Sequence, residues 1–154
     1  MKLNIIEKTI GSGLFSGYVK KASGTFGSLA GLCIYLIPGF ENPSVMIFFI
    51  TLFILVGVPI ARKFEIVYGE DPKEYTNDEV IGMWITLLFI PKKIWWMLIG
   101  FFLFRAFDIW KPYPARKLES VKNGWGVILD DIAAGIYSFV VLQLIILSSR
   151  LLIQ

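Results

Sequence analysis

Long hydrophobic runs separated by short polar segments dominate the pattern of this chain. A helix needs about 20 mainly apolar residues to cross a bilayer, with about 17 as the lower limit. Three runs approach or reach that length: Val45–Ala61, Ile94–Trp110 and Ile132–Leu147. Two shorter runs, Phe26–Pro38 and Val80–Pro91, have the length of buried, re-entrant or tilted helices. The pattern therefore predicts an all-α polytopic membrane protein with about five helices, two of them short.

The first 21 residues differ from the rest of the chain. They carry scattered lysines and lack the continuous apolar core of a signal peptide. This composition is typical of a segment that lies at a membrane interface. We therefore predict an N-terminal interfacial segment over 1–21 and a single membrane-embedded helical domain over 22–154.

Basic residues indicate how the helices are oriented. Segments 1–21, 62–79 and 105–131 hold 12 of the 15 Lys and Arg residues. The positive-inside rule places such segments in the cytoplasm. Five crossings alternate consistently with that orientation, so we expect these three segments to lie on one side of the membrane.

Composition restricts the chemistry that is available. The chain is 56% hydrophobic and has a mean hydropathy of +0.68, which excludes a disordered protein. It has no His, the commonest general base and metal ligand, and one Cys, which excludes a disulfide framework. That residue, Cys33, lies in an apolar run and is expected to be buried in the core. A net charge of +3 is too small to indicate a nucleic-acid partner. Any acid–base or metal chemistry must therefore use carboxylates.

Polar residues gather at the helix ends that the topology places in the cytoplasm. There are four such clusters, Lys20–Ser28, Asn77–Glu79, Arg105–Lys111 and Asp130–Asp131. They are far apart in the chain but are predicted to lie at the same depth. The sequence therefore predicts one polar site at the inner lipid–water boundary.

The end of the fourth helix carries three charges on one face. Arg105, Asp108 and Lys111 are spaced three residues apart, so their side chains can reach one another. Pro112 is expected to end the helix, and the stiff segment that follows fixes the direction of Arg116. The alternative is an interfacial ion pair with snorkelling cations. Charges inside a spanning segment are costly and usually functional, which favours a site.

Paired carboxylates stand before two of the helices. Asp131 has the position of an N-cap residue, but the adjacent Asp130 would repel it unless a cation lay between them. Hard oxygen ligands of this kind suit Mg²⁺. Asp78 has the same two interpretations, cap or functional group, and Glu79 is placed to point into the bundle.

The first short helix begins with small residues. Gly27 and Gly31 have the spacing that brings two helices into close contact. Thr25, together with the preceding Gly24, offers a hydroxyl and backbone N–H groups to an anion at a helix N-terminus.

Four motifs together resemble a known family. They are Gly24-Thr25-Phe26-Gly27-Ser28-Leu29, Asp78-Glu79-Val80-Ile81-Gly82-Met83-Trp84, Phe104-Arg105-Ala106-Phe107-Asp108-Ile109-Trp110-Lys111-Pro112-Tyr113-Pro114 and Asp130-Asp131-Ile132-Ala133-Ala134-Gly135. In this order, over about residues 22–140, they resemble the phosphatidylglycerophosphatase A family. The resemblance implies a Mg²⁺-dependent phosphatase of the bacterial inner membrane, with its active site facing the cytoplasm. Its substrate would be phosphatidylglycerophosphate and its products phosphatidylglycerol and inorganic phosphate.

On this hypothesis each polar cluster receives a role. The candidate Mg²⁺ ligands are Glu79, Asp108, Asp130 and Asp131. The candidate catalytic residues are Asp131, Asp108, Asp78 and Arg105. The candidate phosphate-binding residues are Thr25, Arg105, Lys111 and Arg116. Asp131 or Asp78 would take the proton of an attacking water, and direct attack by an Asp through a phospho-aspartate stays open.

Two functions other than a phosphatase also fit these sequence features. Another Mg²⁺-dependent lipid-headgroup enzyme, such as a transferase, would use the same residue types. An ion- or proton-coupled transporter would also place charges in its helices, but near mid-depth and accessible from both faces. The crowding of charges on one side of this chain favours an enzyme.

Overall fold

The computed structural model describes residues 2–152, and every regular element in that range is helical. The seven α-helices of this range are α1 (Ile5–Gly11), α2 (Ser23–Tyr35), α3 (Pro43–Tyr68), α4 (Asn77–Leu87), α5 (Ile94–Trp110), α6 (Ala115–Leu118) and α7 (Trp125–Leu152). A single 3₁₀ turn, Ser16–Tyr18, lies between α1 and α2. The predicted all-α class is confirmed. Met1, Ile153 and Gln154, which belong to the two predicted segments, lie outside the described residues.

The five predicted apolar helices correspond to α2, α3, α4, α5 and α7. α5 has the predicted bounds, but α3 continues past Arg62 and Lys63 to Tyr68. Gly69, with φ of +102°, follows the last residue of α3. Hydropathy marks where a helix leaves apolar surroundings, whereas its backbone hydrogen bonds continue until the chain can turn. For this reason the prediction ended α3 too early.

The start of α7 also differs from the prediction. The helix begins at Trp125, so Asp130 and Asp131 lie in its second turn and are 5% and 3% exposed. The interpretation of Asp131 as an N-cap is therefore wrong. The polar residues before Ile132 look like a loop in sequence, but they are the buried start of a helix.

Two helices are long and apolar enough, by length and composition, to cross a membrane. These are α3 and α7, and only 22% and 28% of their most apolar stretches is buried inside the protein. Such low burial distinguishes them from the core helix of a soluble protein. α2 and α4 have 13 and 11 residues, about 20 and 17 Å at 1.5 Å per residue, against a hydrocarbon core of about 30 Å. The five crossings therefore stay a prediction.

α4 lies at the centre of the bundle, packed between α2 and α7. The contacts depend on residues without side chains, as the small-residue spacing predicts. A Cβ on Gly135 of α7 would lie 2.7 Å from the carbonyl oxygen of Gly82 in α4. On the other side, Trp84 donates a hydrogen bond of 3.0 Å to the carbonyl of Gly31 in α2. This close packing fixes the relative positions of the three helices.

Cys33 is exposed on α2, so the expectation that it lies in the core is wrong. Its neighbours on the outer surface of α2, such as Phe26, Leu29 and Leu36, are also exposed. Apolar neighbours indicate burial in a protein surrounded by water. They carry no such information in a helix whose outer face is itself apolar.

The N-terminal segment packs onto the bundle at the end that carries the polar clusters. Glu7 forms an ion pair with Lys63 of α3. The Thr76 N–H donates to the carbonyl of Gly11 over 2.8 Å, and the hydroxyls of Ser16 and Thr76 are 2.9 Å apart. These contacts fix the residue that immediately precedes α4.

Candidate active site

A polar pocket of about 210 Å³ lies where the start of α2, the start of α4, the end of α5 and the second turn of α7 meet. Its lining comprises Ser23, Gly24, Asp71, Pro72, Lys73, Tyr75, Asp78, Glu79, Arg105, Asp108, Lys111, Asp130 and Asp131. Residues from all four polar clusters of the sequence therefore line a single pocket.

Three carboxylates meet inside this pocket. One oxygen each from Asp78, Glu79 and Asp131 can be chosen so that all three lie within 4.8 Å of one another. Asp78 and Asp131 are buried, and Oε2 of Glu79 is buried without a hydrogen-bond partner among the described residues. Carboxylates held so close repel one another unless a proton or a cation lies among them. Oxygen donors with an unused, buried lone pair fit a hard divalent cation such as Mg²⁺.

The other two predicted metal ligands lie in the same pocket but are paired with cations of the chain. Arg105 donates to Oδ2 of Asp108 over 2.7 Å, and Lys111 lies 2.7 Å from Oδ2 of Asp130. Oδ1 of Asp130 is buried without a partner in residues 2–152. Asp108 and Asp130 therefore adjoin the carboxylate cluster and, in addition, orient basic side chains. Asp78, predicted as a base, belongs to the cluster.

Arg105 is held in place with part of its guanidinium unused. Nη1 contacts Asp108 and lies 3.4 Å from the Ser28 hydroxyl, while Nε is buried and has no acceptor among the described side chains. A buried donor without an acceptor favours an anion in the pocket. Arg binds phosphate oxygens with bidentate geometry, so this residue fits a phosphoryl group.

Lys111 links the end of α5 to α7. It follows the last residue of α5 in a left-handed conformation, with φ of +47°, directly before Pro112. Burial by itself would lower the pKa of Lys111, but its bonds to Asp130 and Glu119 raise this pKa above the ordinary value. Lys111 is therefore a fixed positive charge at the edge of the pocket.

A buried hydrogen-bond network positions the start of α4. The Tyr75 hydroxyl donates to the carbonyl of Gly57 over 3.0 Å, and Nδ2 of Asn77 donates to that hydroxyl over 3.1 Å. Thr76 occupies the N-cap position, so Asp78 is not the cap. One oxygen of Asp78 accepts a 3.1 Å hydrogen bond from the Glu79 N–H. Capping therefore does not account for the buried position of Asp78.

Two predicted phosphate-binding residues do not line the pocket. Ser23 and Gly24 line it instead of Thr25, and Arg116 lines a neighbouring pocket. Sequence reasoning missed Asp71 and Tyr75, which lie in the segment between α3 and α4. The one sequence signal for these two residues is that they lie seven and three residues before Asp78.

The arrangement combines a cation site with an anion site. A cluster of buried carboxylates lies beside a guanidinium and an ammonium group, with no His involved. Phosphoryl transfer needs this combination, because charge must be neutralised on the phosphoryl oxygens while a nucleophile is oriented. The pocket is therefore suited to phosphate ester chemistry.

Comparisons with known proteins agree with this interpretation. The family model for phosphatidylglycerophosphatase A matches residues 9–146. Proteins named phosphatidylglycerophosphatase A are 37% identical in Haemophilus influenzae, over 84% of this chain and 82% of the relative, and 36% identical in Escherichia coli, over 86% and 79%. A Bacteroides thetaiotaomicron protein with the provisional name phosphatidylinositol-3-phosphatase is 40% identical, over 86% of this chain and 89% of the relative. No solved structure matches the chain.

Proposed function

The chain belongs to the phosphatidylglycerophosphatase A family, and we propose that it removes the terminal phosphate of phosphatidylglycerophosphate in a Mg²⁺-dependent reaction. The products are phosphatidylglycerol and inorganic phosphate. One observation carries the proposal: Arg105, whose buried Nε has no acceptor among the described residues, lines the same pocket as the Asp78, Glu79 and Asp131 carboxylates.

Asp78, Glu79 and Asp131 would hold the divalent cation. Their convergence and the unpartnered oxygen of Glu79 support this assignment. A bound Mg²⁺ supplies charge neutralisation at the phosphoryl group and makes a coordinated water more acidic. Asp108 and Asp130, which are paired with Arg105 and Lys111, orient those cations in this proposal.

The basic side chains bind and orient the phosphate. Arg105 would offer the part of its guanidinium that lines the pocket, and Asp108 holds the guanidinium in a fixed direction. Lys111 supplies a second positive charge at the pocket edge. Because both groups are held by carboxylates before substrate arrives, little reorganisation is needed during the reaction.

We assign Oδ1 of Asp130, which has no partner in the described chain, as the acceptor of the proton from the attacking water. A new P–O bond forms to the water oxygen while the ester P–O bond breaks; the departing glycerol oxygen takes up a proton from solvent water, and Asp130 then releases its proton to solvent. A phospho-aspartate intermediate is the competing route. Acid quenching during turnover of radiolabelled substrate distinguishes the two routes, because the competing route alone leaves label on the protein.

The protein's cellular location is the next part of the proposal. Two helices able to cross a membrane and membership of this family indicate a membrane protein. We propose the bacterial inner membrane, with the pocket facing the cytoplasm. In support, Lys20 precedes α2, Lys63 lies in the last two turns of α3 and Lys122 precedes α7, and basic residues are typical of a cytoplasmic face.

The experiment is a phosphate-release assay on purified protein in mixed micelles. Phosphatidylglycerophosphate is offered with Mg²⁺, and again after the protein has been stripped with a chelator. We expect release with Mg²⁺, loss after stripping and recovery when Mg²⁺ is restored. Release that is unaffected by stripping contradicts the metal assignment, and no release under any condition contradicts the substrate.

The Bacteroides relative supports a second candidate substrate, a phosphoinositide monophosphate. Like phosphatidylglycerophosphate, this lipid carries a phosphomonoester on a polar headgroup, so the same pocket chemistry applies. Offering both lipids in the same assay decides between them. We expect the higher kcat/KM with phosphatidylglycerophosphate.

A further inference from the structure

A second, basic pocket adjoins the carboxylate pocket. It has a volume of about 590 Å³ and is lined by Trp110, Lys111, Pro112, Tyr113, Arg116 and Lys117. Lys111 lines both pockets, so the two are neighbours. We refer to this second pocket as the basic pocket.

The charge of the basic pocket is not neutralised by the protein. No acidic residue lines it, and within residues 2–152 neither Arg116 nor Lys117 forms an ion pair. Both side chains are exposed. Lys111, by contrast, is already paired with Asp130 and Glu119. The free positive charge of the pocket therefore comes from Arg116 and Lys117, and it favours an anionic ligand.

The basic pocket also has the features of a membrane interface. Trp110 and Tyr113 are 72% and 81% exposed. Exposed Trp and Tyr side chains are typical of the headgroup level of a bilayer. The segment is fixed to the bundle, because the Tyr137 hydroxyl of α7 donates to the carbonyl of Tyr113 over 3.2 Å.

We propose that the basic pocket binds the phosphodiester of the same lipid molecule whose phosphomonoester occupies the carboxylate pocket. This inference rests on the proposed function. Phosphatidylglycerophosphate carries two phosphates joined by one glycerol unit, and its phosphodiester lies nearer the acyl chains. Adjacent anion sites that share Lys111 match this arrangement. Arg116 and Lys117 are then specificity-determining residues, which favour lipids with both phosphates over phosphatidic acid, whose only phosphate is a monoester.

The test is the double variant Arg116→Gln/Lys117→Gln, assayed in neutral mixed micelles. We expect the KM for phosphatidylglycerophosphate to rise about tenfold, as the loss of charge-assisted hydrogen bonds predicts, with kcat within about twofold. The preserved kcat shows that the variant is folded. The KM or inhibition constant of phosphatidic acid should not change. The charge-preserving variant Arg116→Lys/Lys117→Arg should recover most of the lost affinity.

The matched control is Lys8→Gln/Lys122→Gln, which removes the same charge from residues that line neither pocket. Its KM should equal that of the wild type. The proposal is overturned if Arg116→Gln/Lys117→Gln leaves KM unchanged, if phosphatidic acid weakens equally, or if the control has the same effect. If the wild type releases no phosphate from phosphatidylglycerophosphate, the proposed function is wrong and this inference with it.

Discussion

Gly24 shows that a residue without a side chain can decide the geometry of the candidate site. A Cβ at this position would lie 2.5 Å from Oε1 of Glu79 and 3.0 Å from Nη1 of Arg105. The backbone of α2 at Gly24 therefore packs directly against both the Glu79 carboxylate and the Arg105 guanidinium. At the residue scale, the pocket depends on this close approach as much as on the charged side chains.

We expect Gly24→Ala to lower kcat by about 10- to 100-fold, because displacement of reacting groups by about 1 Å has effects of that size. The measurement is phosphate release under saturating substrate. Cys33→Ala is the control, since Cys33 is exposed on the outer face of the same helix and does not line the pocket. Wild-type turnover in Gly24→Ala would show that the close approach of the α2 backbone to Glu79 and Arg105 is not required.

The carboxylates give a second residue-scale prediction. Asp131→Asn and Asp108→Asn should each lower kcat/KM by about 100-fold, the first through loss of a proposed cation ligand and the second through a misdirected Arg105. Both proteins should still insert into membranes. Lys92→Ala should retain full turnover, since Lys92 pairs with Glu41 outside the pocket. Full activity in both Asp variants would remove the carboxylate–cation proposal.

At the scale of elements, the crossing of α4 and α7 sets the distances between the carboxylates. Gly82 and Gly135 meet at this crossing. Asp131 precedes Gly135 by one turn of α7, and Glu79 precedes Gly82 by nearly one turn of α4. Close contact at the two glycines therefore brings the preceding turns, and their acidic groups, together.

We expect Gly135→Ala to destabilise the protein, although Ala is the better helix former by about 1 kcal/mol. The new methyl group would lie 2.7 Å from the Gly82 carbonyl oxygen, and overpacking of this kind costs about 1–3 kcal/mol. The measurement is the Tm in detergent, which should fall together with turnover. Ile136→Ala, at the exposed neighbouring position, should leave both nearly unchanged. An unchanged Tm in Gly135→Ala would mean that α4 and α7 can move apart without loss of stability, which would contradict this prediction.

At the scale of the whole molecule, the polar pocket occupies one end of the bundle and the Lys92–Glu41 ion pair lies outside it. The apolar outer faces of α3 and α7 lie between the ends. This polarity agrees with an enzyme that meets a lipid headgroup at one membrane surface. A transporter, by contrast, would need polar groups that are accessible from both sides of the membrane.

The orientation can be tested with single cysteines in a Cys33→Ala background. A membrane-impermeant maleimide added to intact spheroplasts should label Lys93→Cys, which lies at the start of α5. Lys122→Cys, in the segment before α7, should be labelled only after the membrane is opened. Both native side chains are exposed, so the pair is matched in accessibility. The reverse labelling pattern would place the pocket outside the cytoplasm.

Much of this protein could be predicted from its sequence. The all-helical class, the five apolar helices and the bounds of α5 follow from runs of apolar residues. In an apolar medium the backbone N–H and C=O groups must hydrogen-bond to one another, as they do in a helix, and the thickness of the medium sets the helix length. The position of the charged residues at the helix ends follows as well, since charges are costly within the hydrocarbon core. These are local properties, which each segment has without its neighbours.

Only the tertiary structure decided which charged groups are partners. It placed Asp78 and Glu79 with Asp131, paired Asp130 with Lys111, and put Arg116 in a separate pocket, whereas the Arg105–Asp108 pair follows from their spacing in α5. Spacing along one helix shows which residues share a face of that helix. It does not show how a neighbouring helix is rotated or how far away it lies. Those quantities depend on packing at residues such as Gly24, Gly82 and Gly135, whose contacts lie on other segments of the chain.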